Sequence, residues 1–301
     1  MKELLCIMGP TATGKTKLAV HVARRLDAEI ISADSRQVYR GMDIGTGKDI
    51  EEYSMLDKPV KYHLIDIVDA GYEFNLFEYQ QEFLKVYNQL KANKTLPILC
   101  GGTGLYIEAV VKGYDLVEVP ENEAFRESIQ DKTDSELVDM LTNIRDAHNT
   151  TDTIIRERII RALEIDVFKQ GRTNAFPEID AMLFCMKIEK PLLHKRIKDR
   201  LLQRLEEGMV EEVENLLNRG VTEKMLYNYG LEYRFVLQYL NGELSLDEMI
   251  ENLYIAIRQF SKKQQKWFRR MERNGTKIHW LNAEKNVETL AEELFFTWKS
   301  Y

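Results

Sequence analysis

The octapeptide Gly9-Pro10-Thr11-Ala12-Thr13-Gly14-Lys15-Thr16 constrains this chain more than any other feature. It matches G-x-x-x-x-G-K-[ST], with the apolar run Glu3 to Met8 before it and the helix-like stretch Lys15 to Leu26 after it. In such a strand–loop–helix unit the glycines let backbone N–H groups converge on a phosphate. The helix N-terminus adds its partial positive charge. Lys15 supplies a mobile cation, and the Thr16 hydroxyl can bind Mg²⁺. Gly9, Thr11, Ala12, Thr13, Gly14, Lys15 and Thr16 are thus the expected diphosphate or polyphosphate site, with Thr16 as metal ligand and Mg²⁺ as cofactor. The loop specifies a class of ligand and leaves the reaction open.

The rest of the chain extends this start. Glu29 to Ser32, Val60 to Ile67 and Leu96 to Cys100 read as further strands, and Phe77 to Lys91 and Tyr106 to Val111 as helices. Strands alternating with helices predict an α/β fold, a P-loop NTPase-like parallel sheet flanked by helices. From Glu121 to Lys169 the pattern is helical and strongly charged, which predicts a helical insertion. Ala181 to Ile188 is strand-like and rejoins the sheet. Pro191 to Met271 is helical with breaks near Gly208, Gly220, Gly230 and Gly242, and Lys277 to Leu281 is a closing strand. The expected organisation is a core over 1–115, a helical insertion over 116–180 and a mainly helical remainder of the core over 181–301.

Composition bounds the function. With 44% hydrophobic and 30% charged residues over 301 positions, the chain is an ordinary globular protein. No apolar run approaches a membrane span, and Leu4 to Met8 is too short for a signal peptide. Cys6, Cys100 and Cys185 lack CxxC spacing and read as buried thiols, which points to the reducing cytoplasm. A net charge of -7 argues mildly against nucleic acid. Its distribution argues the other way, because from Arg258 to Arg273 seven basic residues face only Glu272.

Two further strand ends carry chemistry. Asp34 lies just beyond Ile30-Ile31-Ser32, at the sheet edge where open parallel sheets bind ligands. It can hold Mg²⁺ through water, act as a general base, or merely N-cap a following helix, as Ser35 also could; the residues alone do not choose. The loop Tyr39 to Lys48, with Arg40 and Lys48, can line a phosphate or be plain surface. Gly101-Gly102-Thr103-Gly104 ends another strand and puts Thr103 near Asp34 and the phosphate loop. Its glycines permit close approach of a ligand.

Taken together, GPTATGKT at 9–16, ISADSRQVYRGMDIGTGK at 31–48, HLID at 63–66, GGTGLYI at 101–107, IIRALEI at 159–165, RIKDRLLQRLEEGMVEEV at 196–213 and IRQFSKKQQKWFRR at 257–270 resemble the tRNA dimethylallyltransferases, also called tRNA isopentenyltransferases. The resemblance spans nearly the whole chain. It implies transfer of a dimethylallyl group from dimethylallyl diphosphate to N6 of the adenosine at tRNA position 37, next to the anticodon. It also implies catalytic roles for Asp34, Thr103 and Arg200, with Arg200 clamping the diphosphate. It assigns tRNA contacts to Asp34, Ser35, Arg36, Gln37, Arg126, Glu157, Arg158, Ile159, Ile160 and Arg161. To these the basic segment adds Arg258, Lys262, Lys263 and Lys266. The implied partners are a tRNA anticodon stem-loop and dimethylallyl diphosphate, no membrane, and a monomeric enzyme.

The chain departs from the family pattern at Tyr62, Gly47 and Asp49, before Arg158, at Gly230-Leu231-Glu232-Tyr233, and at Ser261 and Lys263. These departures are expected at the tRNA-contacting edges, leaving the diphosphate site untouched. The rival readings are an adenylate isopentenyltransferase acting on AMP, ADP or ATP, a small-molecule P-loop kinase, and a non-catalytic RNA-binding protein. The helical insertion and basic segment favour RNA, since a free nucleotide needs neither.

Overall fold

A computed structural model describes residues 2–54, 58–144, 156–169 and 175–301. Its centre is a parallel sheet of six strands, built on β1 (Leu4–Met8). Every residue of β1 is buried, as expected of a strand covered on both faces. On one side β1 pairs with β6 (Pro97–Gly101), which pairs with β2 (Glu29–Ser32) and through it with β4 (Tyr62–His63). On the other side lie β7 (Ala181–Lys187) and β8 (Ile278–Asn282). The expected parallel α/β sheet is therefore present, and the strand after the insertion enters it beside β1.

The strand expected over Val60 to Ile67 is shorter than its apolar pattern. Only Tyr62 and His63 pair with β2. Leu64 (φ 60°) and Asp66 (φ 56°) then take left-handed conformations and turn the chain away. It resumes as β5 (Val68–Asp69), which pairs with β3 (Tyr39–Arg40) in a separate small sheet. The turn puts the Asp66 carboxylate on Lys48. That lysine is 1% exposed; it also pairs with Asp43 at 2.5 Å and donates to the Tyr39 carbonyl at 2.7 Å. Lys48 is thus an internal tie rather than a phosphate ligand. Arg40 is likewise engaged, by Asp69 at 3.1 Å and the Ile67 carbonyl at 3.0 Å.

Helices cover the sheet. α1 (Lys15–Leu26) leaves the phosphate loop from Gly14, which sits at φ 79°. α2 (Leu76–Ala92) starts with a capping box between Asn75 and Glu78. α3 (Gly104–Val111) follows β6. Beyond the insertion come α7 (Lys190–Glu206), α8 (Met209–Asn218), α9 (Glu223–Tyr229) and α10 (Leu231–Leu240), with boundaries near the expected glycines. α11 (Leu246–Arg273) has its own capping box, Ser245 with Glu248, and buries one stripe: Met249, Leu253, Ile257, Ser261, Gln264, Phe268 and Met271. α12 (Val287–Lys299) closes the chain.

The chain divides into two compact units, Met1–Lys112 with Glu178–Tyr301, and Gly113–Pro177. The second contains α4 (Glu123–Ser128), α5 (Asp134–Ile144) and α6 (Arg156–Lys169). They pack through their own small core of Ile129, Leu137, Leu141, Ile159, Ala162 and Leu163. The helical reading of Glu121 to Lys169 also covered 145–155, which lie outside the described residues.

Lys48→Met should cost about 2 kcal/mol, less than a fully buried pair would, because the two carboxylates left behind are partly solvated. Urea unfolding monitored by circular dichroism measures it.

Candidate active site

The phosphate loop follows directly from β1. Thr13 is buried and its hydroxyl donates to the Pro10 carbonyl at 2.8 Å, closing the loop on itself. Ala12 (φ 60°) and Gly14 adopt left-handed conformations, which turn successive N–H groups inward. Burial depresses the Lys15 amine below the usual lysine range. Cys100, Asp34 and Asp49 oppose that shift, while Arg200 adds to it. Asp34, Asp49 and Arg200 therefore each lie within electrostatic reach of Lys15.

Asp34 follows the end of β2, and its Oδ1 accepts the Arg36 N–H at 3.0 Å. No helix starts here, so this is a turn bond rather than the expected N-cap, and among the described residues the second oxygen of the half-buried carboxylate makes no hydrogen bond. Thr103, at the end of β6, is tied to the same loop. Its N–H donates to the Ala33 carbonyl at 3.1 Å, its Oγ1 accepts the Ser35 N–H at 3.0 Å, and the Ser35 hydroxyl is 3.4 Å away. Gly101 is needed for this contact, because a Cβ there would lie 2.2 Å from the Ala33 carbonyl oxygen. The glycine serves approach between two strands, where the sequence suggested approach to a ligand.

Gln264 completes the frame, and sequence reasoning missed it. From the buried stripe of α11 its Oε1 accepts the Thr11 N–H at 2.9 Å, and its Nε2 donates to the Gly102 carbonyl at 2.9 Å. One amide thus joins the two glycine turns. The signal was available, since Gln264 is a polar residue at an apolar position of the helical repeat.

Arg200, on α7, reaches the same region. Its Nη2 donates to Asp49 Oδ2 at 2.6 Å, with the Gly47 carbonyl at 3.5 Å. Beside them lies Glu52, a second residue the sequence did not reveal. Its Oε2 is buried with no hydrogen-bond partner among the described residues. Its carboxyl is pushed up to about 7, chiefly by burial and then by Asp49, against the opposing pull of Arg200, Lys17 and Lys15.

The expected RNA-contacting residues separate into several groups. Ser35 and Arg36 are half-buried at the Asp34 loop. The Gln37 side chain is committed internally, accepting from Ser32 at 3.1 Å and donating to the Gly47 carbonyl at 3.0 Å. On α11, Lys262, Lys263 and Lys266 are exposed, whereas Arg258 is half-buried over the Tyr254 ring. In the Gly113–Pro177 unit, Glu157 and Arg158 are exposed and Ile160 is half-buried. Arg126 and Arg161 grip the buried Glu164 at 2.7–3.0 Å. Burial works to raise the Glu164 carboxyl, but Arg126, the Asn122 N–H and Arg161 outweigh it and hold it at about 2. Ile159 is corrected outright: it is 0% exposed in the core of that unit, so its side chain cannot meet RNA.

Three of the departures lie away from the exposed edges where they are expected. Gly47, Asp49 and Glu232 gather around Arg200 and its neighbour Arg204, beside the phosphate loop. They lie on the phosphate-loop side of the site.

A phosphate loop at the carboxyl edge of a parallel sheet, with a carboxylate and a threonine from the adjoining strands, defines a P-loop enzyme. Comparison with known proteins narrows the class. The family model described as IPP transferase matches residues 37–271. The tRNA dimethylallyltransferase 2 of Phocaeicola vulgatus is 49% identical, over 97% of this chain and 96% of that one. The tRNA dimethylallyltransferase 1 of Parabacteroides distasonis is 50% identical over 95% and 94%. Among solved structures, the full-length tRNA isopentenylpyrophosphate transferase of Bacillus halodurans superposes with a TM-score of 0.73 at 31% identity, covering 100% of this chain and 96% of that one. This chain belongs to the IPP transferase family.

Because Glu52 binds its proton more tightly folded than unfolded, its ionisation costs stability as pH rises from about 4.5 through 7. Glu52→Gln should raise stability at pH 8 by up to about 3 kcal/mol and leave it nearly unchanged at pH 4. Denaturant titrations at the two pH values check the sign.

Proposed function

We propose that this chain transfers the dimethylallyl group of dimethylallyl diphosphate to N6 of the adenosine at position 37 of tRNA, giving N6-(dimethylallyl)adenosine and diphosphate. The observation that carries the reading is the direct stitching of the Asp34 loop to Thr103, beside the phosphate loop and Lys15. The acting species in this reading is a cytoplasmic monomer. Among the described residues no helix is long and apolar enough to cross a membrane.

The chemistry follows from the geometry. The exocyclic amine of adenine is a poor nucleophile, because its lone pair is conjugated with the ring. As N6 attacks the allylic carbon, the bond from that carbon to the bridging diphosphate oxygen breaks, and the free Asp34 oxygen accepts the N6 proton. Negative charge grows on the leaving diphosphate, where Lys15, Arg200 and the loop N–H groups stabilise it. In this reading the Thr103 hydroxyl hydrogen-bonds the bridging oxygen.

The donor set fits Mg²⁺. Thr16 and Asp34 offer hard oxygens, and among the described residues no three His, Cys, Asp or Glu gather into a metal cage. Mg²⁺ ordinarily takes one or two protein oxygens, with waters and substrate phosphates filling the rest of its shell. When bound through Thr16, it would neutralise charge on the diphosphate.

For the acceptor, a base in an anticodon loop must leave its stack to reach a pocket. The exposed lysines of α11 suit the RNA backbone, as do Arg158 and the outer faces of Arg126 and Arg161 in the Gly113–Pro177 unit. Ser35 and Arg36 suit the region of the extruded base.

Asp34→Asn should preserve the fold and tRNA binding while lowering turnover by about 10²–10⁴-fold. Single-turnover transfer measures the rate, and a variant within about threefold of wild type would reduce Asp34 to a turn cap. Reversing the charge of Lys262, Lys263 and Lys266 should weaken tRNA binding without changing dimethylallyl diphosphate affinity. It should also flatten the salt dependence, by up to about 0.7 in log–log slope per lost contact with single-stranded phosphate. Filter binding at several salt concentrations reads both effects.

A further inference from the structure

Arg204 lies one helical turn beyond Arg200 on α7, so the two guanidiniums share a face. Arg204 is 8% exposed, yet among the described residues its guanidinium donates no hydrogen bond, and its charged partner is Glu232 at 3.8 Å. Burial lowers its affinity for the proton, and Arg200 adds to this, while Glu232, Asp49 and Tyr233 oppose it. Leaving a buried cation short of acceptors costs free energy. An anion supplied from outside would remove that cost.

The cavity beside it says which anion. Thr11 and Ala12 of the phosphate loop line it together with Arg200, Arg204 and Glu232, and its closed space is only about 10 Å³, room for roughly one water-sized group such as a single phosphate oxygen. Gly47 makes room for the pair of arginines. A Cβ there would fall 1.4 Å from Arg204 Nη2 and 2.4 Å from Arg200 Nη2, on a backbone at φ +61°. Asp49 holds Arg200 from one side, leaving Arg204 as the less satisfied cation. Burial raises the Glu232 carboxyl, against the opposing pull of Arg204 and Arg200.

We infer that Arg204 is a second diphosphate-binding side chain of this site, working beside Arg200 at the end of the diphosphate that faces Thr11 and Ala12. The inference rests on reading the phosphate loop as a diphosphate site. It gives one account of three departures from the family pattern. Gly47 admits the second guanidinium, Asp49 positions the first, and Glu232 balances the second in the unliganded protein.

The test uses inorganic pyrophosphate as probe, titrated calorimetrically with Mg²⁺ at constant ionic strength. Wild type, Arg204→Met, the double variant Arg204→Met with Glu232→Gln, and Lys15→Ala are compared. Losing a charge-assisted hydrogen bond should weaken pyrophosphate binding about tenfold or more in both Arg204 variants. The KM for dimethylallyl diphosphate should rise in parallel and tRNA affinity should hold. The double variant leaves no unpaired buried carboxylate, so it decides the matter if the single variant folds poorly. Pyrophosphate binding within about twofold of wild type in the folded variants would overturn the inference and make Arg204 with Glu232 a structural ion pair. A loss of tRNA affinity with pyrophosphate binding unchanged would overturn it in favour of an RNA phosphate. If wild type and Lys15→Ala are alike in failing to bind pyrophosphate, the diphosphate reading itself fails, and the inference falls with it.

Discussion

Three loops leave three neighbouring parallel strands at one edge of the sheet, and a few hydrogen bonds hold them in register. Thr103 ties the loop after β6 to Ala33 and Ser35 after β2. Gln264 ties Thr11 after β1 to Gly102 after β6. A carboxylate that takes a proton and a loop that holds a leaving group must keep a fixed separation to act in one step. Strands alone do not ensure this, because loop tips are the mobile part of an α/β fold. Here a buried glutamine from a distant helix supplies the constraint, so α11 holds the two glycine turns together as well as carrying the basic surface.

The electrostatics around that frame are concentrated and partly unbalanced. Lys15, Arg200 and Arg204 bring positive charge to one side of the phosphate loop, opposed by Asp49 and by the half-buried Glu52 and Glu232. Burial shifts Lys15, Arg204, Glu52 and Glu232 toward their neutral forms. A site so arranged gains from an incoming polyanion, since the ligand relieves repulsion among the cations. The same burial keeps the three thiols inert, with Cys100 pushed to about 12 although it lies against Lys15.

Much of the fold was legible because its signals are local. A continuous apolar run followed by a glycine-rich loop locates β1 and the phosphate loop. Helix ends fall near Gly208, Gly220, Gly230 and Gly242. Legibility failed where a tertiary contact overrode the local pattern. The apolar stretch around Leu64 and Ile65 looks like strand, but the demand for Asp66 at Lys48 bends it into a turn. Lys48 itself looks like a surface cation until its burial and partners are seen. At the site, the positions of Asp34, Thr103 and the phosphate loop at neighbouring strand ends were readable from the strand pattern and motif. Gln264, Glu52 and Arg204 were not, because their contacts form only when segments far apart in sequence meet, such as Thr11 with α11 and Gly47 with the arginines of α7. Ile159 was misassigned because a contact motif on a helix includes the residues that merely anchor the helix.

The central claim is a reaction that joins a diphosphate site to an RNA acceptor, and one assay addresses both halves. The protein is incubated with Mg²⁺ and dimethylallyl diphosphate labelled in the allyl group, together with unmodified tRNA, with AMP, or with no acceptor. Label should pass to tRNA alone, and nuclease digestion should place it on the adenosine 3′ of the anticodon. Transfer to AMP with none to tRNA, or no transfer to either while the protein remains folded, would contradict the account.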